Sequence, residues 1–172
     1  MTFTRLLIAL SIVTFTAIEA NAQKAPGVGL KVIFFLDPEC PVSNAYMREI
    51  KNIYTEYNSQ NVAFEAIFPV STVKKEDIRN FLKKYNTGFP GYQDPELQKV
   101  RRYHATVMPQ AVLINANGVI IYSGAIDNWY YALGKHRVKA TEGYLRNAIE
   151  ATLKGEPLLL RKTDAIGCLI NL

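Results

Sequence analysis

Cysteine is scarce in this chain: two in 172 residues, Cys40 and Cys168, at opposite ends. No second cysteine stands near either one, so neither can close a disulfide within a local motif. Imidazole is equally rare, with His104 and His136 alone. Clustered positive charge is missing too. The 20 basic residues against 15 acidic ones leave a net +5, but they are scattered; Lys74, Lys75, Lys83 and Lys84 are spaced as on a solvated helix face, and no nucleic-acid-binding stripe is present. There is no internal repeat and no low-complexity segment. The longest apolar run, Leu6 to Ile18, is short of the roughly 20 residues that span a bilayer.

That run has a second meaning. Arg5 precedes it, and Ala20-Asn21-Ala22 follows with the small residues that a signal peptidase needs. Residues 1–22 are therefore expected to be a signal peptide, with an uncleaved anchor as the alternative. The residue directly after the cleavage point is Gln23 rather than cysteine, so a lipoprotein is not indicated. Removing the segment takes away Arg5 and Glu19 and leaves the charge unchanged. Export places the mature chain in a periplasmic or extracellular, oxidising setting, where two cysteines can pair if their geometry allows. Membrane association after cleavage is not expected.

What remains has the size of one domain, and 49% hydrophobic with 20% charged residues is ordinary for a globular fold. Lys31 to Leu36 is nearly all apolar, as in a strand buried on both faces. Pro41 to Asn58 reads as a helix, with Tyr46, Ile50, Ile53 and Tyr57 on one stripe. Asn61 to Phe68 is a second apolar strand, and Ser71 to Asn86 a second helix carrying Ile78, Phe81, Leu82 and Tyr85 inward. After a turn-rich stretch, Gly88 to Tyr92, Asp94 is placed to cap a third helix with Pro95 in its first position. Ala111 to Ile114 and Val119 to Tyr122 are strands, joined through Asn117-Gly118, a strong hairpin signal. Thr141 to Lys154 is the last helix, ended by Gly155, and the tail from Glu156 has no clear period. The order predicts an α/β sandwich of three layers: a parallel βαβ unit, then an antiparallel ββα unit, forming a mixed sheet flanked by helices. Residues 23–30 read as a linker, 31–155 as the domain and 156–172 as a tail.

Three stretches carry a family resemblance: "FFLDPECPVS", where a strand runs into Cys40-Pro41-Val42-Ser43; "DPELQKVRRYHATVMPQAVLINANGVIIYSG"; and the Gly-Cys ending in "LLLRKTDAIGCLI". Over residues 31–170 the chain resembles exported members of the thioredoxin-like redoxin group, which includes AhpC/TSA-like proteins and the TlpA and ResA thiol-disulfide oxidoreductases. The resemblance implies a thioredoxin-like fold in which Pro109, preceded by Met108, is a cis-proline beside the active cysteine and helps to hold a partner chain. Only about 5% of X–Pro bonds are cis, so the motif alone supplies that inference.

The chemistry of the group needs a thiolate, and a free cysteine with a pKa of about 8.5 is mostly protonated at neutral pH. Cys40 stands before a helix, where unpaired N–H groups and the dipole favour the charged form. It is the candidate nucleophile, with a buried structural cysteine as the alternative. Ser43 replaces the second cysteine of Cys-x-x-Cys; it either donates to the thiolate or caps the first turn. Cys168 has three open readings: a resolving cysteine, half of a structural disulfide contributing about 4 to 5 kcal/mol on the chain-entropy model, or an unpaired thiol. Glu65, the one charge inside an apolar strand, is a candidate proton relay if burial raises its pKa. A solvated Glu at a sheet edge is the simpler reading.

The remaining candidates are weaker. Sco-type copper chaperones share the fold but bind through a Cys-x-x-x-Cys pair and a histidine; without that pair, His104 reads as a helix-end residue, His136 as a surface residue, and no metal or organic cofactor is expected. Peroxiredoxins carry Thr or Ser three residues before the peroxidatic cysteine and Pro seven before it, where this chain has Asp37 and Ile33. Trp129, Tyr130 and Tyr131 line a groove or cover a sheet edge. The resulting expectation is an exported thiol-disulfide oxidoreductase acting on protein thiols or disulfides of the cell envelope. The alternatives are a thiol peroxidase and a non-catalytic binding module with a permanent disulfide.

Overall fold

A computed structural model describes residues 29–171. The expected signal segment, 1–22, and most of the linker after it lie outside the described residues. Among the described residues no helix is long and apolar enough to cross a membrane.

The first strand, β1 (Leu30–Phe35), is the centre of a five-stranded sheet. It pairs in parallel with β2 (Val62–Phe68), which pairs in parallel with the short β3 (Gly91–Gln93). On its other side β1 runs antiparallel to β5 (Gln110–Ile114), and β5 antiparallel to β6 (Ile120–Gly124). The strand β4 (Val107–Met108) lies just before β5, outside this sheet. The central strands are apolar on both sides because both faces are covered. Val32, Phe34, Phe64, Ala66 and Leu113 pack with α1 (Pro41–Tyr57), α2 (Lys75–Tyr85) and α4 (Tyr144–Lys154). Ile33, Phe35, Ile67 and Val112 pack with Val100 and Tyr103 of α3 (Gln98–Tyr103). Each fully buried Phe, Leu or Ile side chain contributes about 1.5 to 3 kcal/mol, and the two faces together make this the core.

α1 forms where its apolar stripe predicts, burying Val42, Tyr46, Met47, Ile50, Ile53 and Tyr57, with Pro41 in its first turn. The other three helices begin three or four residues later than expected. Asp94 does not cap a helix opened by Pro95: its carbonyl accepts from Leu97 N–H at 3.0 Å and its carboxylate from Val100 N–H at 3.0 Å, and Leu97, with φ of 55°, breaks the chain before α3 starts. Thr141 is held in a loop by Asn128, which accepts from its N–H and donates to its hydroxyl, both at 2.9 Å. Before α2, Val73 N–H closes a turn on the Val70 carbonyl.

The predicted hairpin is present, with its turn over residues 115–119 and β6 starting one residue later than expected. Asn115 Oδ1 accepts from the N–H groups of Asn117 and Val119, and only Gly118 takes a positive φ, 75°. Past β6, Trp129 and Tyr130 pack edge-on and tilted against Tyr46 of α1, 5.4 and 5.7 Å between ring centroids, while Tyr131 is exposed. They cover the helix rather than the sheet edge. A small hairpin, β7 (Tyr130–Ala132) with β8 (Lys135–His136), completes this corner.

The aperiodic tail folds back on the domain. Ser123 N–H donates to the Arg161 carbonyl at 3.0 Å, and Thr163 Oγ1 accepts from Ala125 N–H at 3.0 Å and lies 2.6 Å from Tyr122 Oη. The chain then crosses to β4, where β9 (Cys168–Leu169) pairs antiparallel with it.

Candidate active site

The pairing of β1 and β2 continues one residue beyond the strand, through Leu36 N–H to the Ile67 carbonyl at 2.9 Å. The chain then turns into α1. Asp37 organises that turn: its carboxylate accepts from Glu39 N–H at 2.9 Å, and its carbonyl from Cys40 N–H at 3.1 Å. Cys40 is the N-cap of α1, extended at φ −75° and ψ 118°, and its carbonyl accepts the first helical hydrogen bond, from Asn44 N–H at 3.0 Å. Asn44 braces the corner further. Its side-chain amide donates to the Pro38 and Cys40 carbonyls, 2.7 and 3.0 Å, and its oxygen accepts from Tyr85 O–H at 2.6 Å.

Cys40 is joined to Cys168 in a disulfide, with Cα atoms 6.2 Å apart, inside the span such a bond requires. The Met108–Pro109 peptide is cis, the conformation the family resemblance implies. Cys40 Sγ lies 3.2 Å from the Met108 carbonyl oxygen, which would accept from the thiol once the disulfide opened. The tail closes the site. Met108 stands opposite Cys168 and Val107 opposite Leu169, and Ile170 N–H donates to the Thr106 carbonyl at 2.9 Å. Cys40 is only 1% exposed, whereas Cys168 remains partly open to solvent.

Four of the residues singled out in the sequence, Cys40, Met108, Pro109 and Cys168, thus converge. Ser43 lies one turn along α1, fully buried, and its hydroxyl oxygen accepts from Asp37 N–H at 3.3 Å. That bond closes the 37–43 turn ahead of α1, which carries no side-chain cap at Cys40.

Glu65 requires correction on both readings. It sits in β2 between two paired strands and is nearly buried, so it is not an edge residue. Its carboxylate is bound to Lys99 at 2.9 Å and Lys31 at 3.3 Å, on the α3 face of the sheet. Burial pushes its pKa up, but the hydrogen bond and charge of Lys99, joined by Lys31, outweigh that and hold it below the ordinary value. A relay acid would need the opposite shift.

Gln110, which sequence reasoning passed over, braces the proline loop from inside. Its Oε1 accepts from Thr106 N–H at 2.9 Å, and its Nε2 donates to Ser123 Oγ at 3.0 Å. A polar residue directly after Pro in an otherwise apolar strand is the signal that could have marked it. Asp127 is a second buried polar group, accepting from Tyr46 O–H at 2.7 Å and Trp129 N–H at 2.8 Å; burial raises its pKa despite those bonds. His104 caps the C-terminal end of α3, and His136 is exposed in β8. No group of three or more potential metal ligands occurs among the described residues.

A mixed five-stranded sheet flanked by helices, with a cysteine heading the first helix and a cis-proline against it, defines the thioredoxin-like fold. The sequence profile of the AhpC/TSA family matches residues 14–123, well over half of the chain, and the protein belongs to that family. Curated protein sequences give no match. Among solved structures, a hypothetical protein of Sinorhizobium meliloti 1021 is 24% identical, with a TM-score of 0.73 over 84% of this chain and 80% of its own. An uncharacterized conserved protein of Geobacillus kaustophilus is 21% identical, with a TM-score of 0.75 over 84% and 77%. A Chlorobium tepidum protein described as a candidate thiol:disulfide interchange protein, DsbE, is 19% identical, with a TM-score of 0.54 over 74% and 82%.

Proposed function

We propose that the protein is an exported thiol-disulfide oxidoreductase working through Cys40 and Cys168 on protein thiols or disulfides of the cell envelope. The observation that carries this reading is the double engagement of Cys168: bonded to Cys40 and, through its backbone, laid against the residue before the cis-proline.

In the reduced protein the Cys40 thiolate forms at the head of a 17-residue helix, whose N-terminus favours the charged sulfur. It attacks one sulfur of a partner disulfide; the new S–S bond joins Cys40 to the partner, and the other partner sulfur leaves as thiolate with the electron pair. Cys168 then attacks Cys40 Sγ, releasing the first partner sulfur as thiolate and forming the intramolecular disulfide. Met108 and Pro109 hold the partner backbone as a short added strand. The reverse sequence oxidises a partner dithiol. Ser43 serves by closing the turn that presents Cys40, and no cofactor enters any step. Supporting export are the apolar N-terminal run with its small-residue cleavage pattern and a two-cysteine chemistry suited to an oxidising compartment.

Redox titration of the mature chain, residues 23–172, across a glutathione series tests the proposal, with alkylation and mass spectrometry as readout. The expected disulfide opens within the range of exchange proteins, about −120 to −270 mV. A bond that resists reduction below about −300 mV would make the pair a structural staple instead.

A further inference from the structure

The tail beside Met108 lies as an added strand: Gly167 passes the Met108 carbonyl, Cys168 meets Cys40, Leu169 is 75% exposed, and Ile170 is buried in the apolar cluster that includes Met108, Val100, Tyr103 and Ala105. Each position makes a different demand. Ile170 needs an apolar pocket, Leu169 asks for nothing, and Gly167 admits no side chain. A Cβ built there would collide with the Met108 carbonyl oxygen, lie 2.6 Å from the Met108 carbonyl carbon and 3.0 Å from Pro109 N. All three atoms are backbone and cannot swing aside as a flexible side chain would.

We infer that this groove selects extended protein segments in which glycine immediately precedes the exchanging cysteine and an aliphatic residue follows two places later, and that the chain's own tail is the resident occupant such a segment must displace. The inference rests on the proposed exchange at Cys40 and deepens it by naming the partner's local chemistry. A partner strand and the tail require the same backbone partners, Thr106 to Met108, and the same sulfur, so only one can be seated at a time. In the covalent step the Cys40 thiolate bonds to the segment's cysteine sulfur, while the group formerly on that sulfur departs as thiolate with the electron pair.

The test uses the full chain with Cys168→Ser and an eight-residue peptide copying residues 165–172, Ala-Ile-Gly-Cys-Leu-Ile-Asn-Leu, its cysteine carried as a mixed disulfide with thionitrobenzoate. Release of coloured thionitrobenzoate reports bond formation at Cys40. Two further peptides place Ala or Val where the first has Gly, and reaction of all three with glutathione corrects for intrinsic reactivity. The Gly peptide is expected to react about tenfold faster than the Val peptide, the equivalent of one backbone hydrogen bond lost to the displaced strand. Equal rates would overturn the selection by glycine while leaving exchange at Cys40 intact; no reaction with any peptide or with dithiobisnitrobenzoate would sink the exchange reading itself. Adding Gly167→Val to the Cys168→Ser chain weakens the resident strand, so the Gly peptide should react faster still. An unchanged rate there would show that the tail is no competitor. The peptide comparison needs only the Cys168→Ser chain, so it survives a poorly folded double variant.

Discussion

Gln110 reaches from one strand to the next to bond Ser123, its Nε2 donating to the hydroxyl at 3.0 Å, while its other end accepts from the backbone ahead of the cis-proline. One side chain therefore ties the loop that faces Cys40 to the strand along which the tail runs. Gln110→Leu keeps the volume but strands the Thr106 N–H and the Ser123 hydroxyl. Thr106 is exposed and Ser123 only partly buried, so the expected loss is the net worth of a hydrogen bond, about 0.5 to 1.5 kcal/mol, read by urea unfolding of the oxidised variant. A loss below about 0.5 kcal/mol would mean that water replaces the side chain without penalty.

Reduction of the disulfide by glutathione, a small thiol that needs no seat beside Met108, should begin at Cys168, in contrast to a partner dithiol, which the reverse exchange sequence brings to Cys40. Cys40 is 1% exposed beneath the tail, whereas Cys168 is partly open, and a sulfur at a helix N-terminus is the better leaving group. Brief exposure of the oxidised protein to glutathione, an acid quench and alkylation should leave glutathione on Cys168 and the alkyl label on Cys40. The reverse labelling would place the attack on Cys40.

The disulfide closes a loop with a sequence separation of 128. On the chain-entropy model such a closure stabilises by about 4 to 5 kcal/mol, so Cys168→Ala should lower the unfolding free energy by that order relative to the oxidised chain. The reduced wild-type protein should match the variant. If reduction leaves the denaturation midpoint where it was, the cross-link restrains a tail that was already held.

Glu65 supplies a pH dependence of known sign. Its folded pKa lies below the ordinary 4.5, so the folded chain binds this proton less readily than the unfolded one. The stabilisation is fully present above about pH 4.5 and is lost as pH falls through the folded value. Because Lys31 and Lys99 are 43% and 39% exposed, screening keeps it small. Glu65→Gln is expected to cost about 1 kcal/mol at pH 7, and the gap should close in acid. Exchange at Cys40 should keep its rate and pH profile in this variant; a displaced profile would restore the relay role that the ion pairs argue against.

The parts of the fold that were legible in the sequence are those written in a local pattern. β1 and β2 announce themselves as apolar runs, α1 as a stripe headed by Pro41, and the β5–β6 hairpin by Asn117-Gly118. Helix starts were misplaced where a capping-type residue is engaged elsewhere, as Thr141 is with Asn128. Glu65 was the hardest to interpret, because its two lysines lie 34 residues away on either side and only the sheet brings them together. Cys40, Met108, Pro109 and Cys168 could be nominated through the family resemblance. The path of the tail could not, since it is pinned by backbone groups and one threonine hydroxyl that leave no periodic trace.

The anchor at Thr163 lies upstream of the site, and the segment before it runs parallel to β6, with Lys162 bridged to Ser123. An open strand at the border of a sheet invites pairing with other chains, and here that border is sheltered by the very tail that carries Cys168. Opening the disulfide therefore needs movement of only the last few residues beyond Thr163. The site can be uncovered while the sheet keeps its guard against self-association.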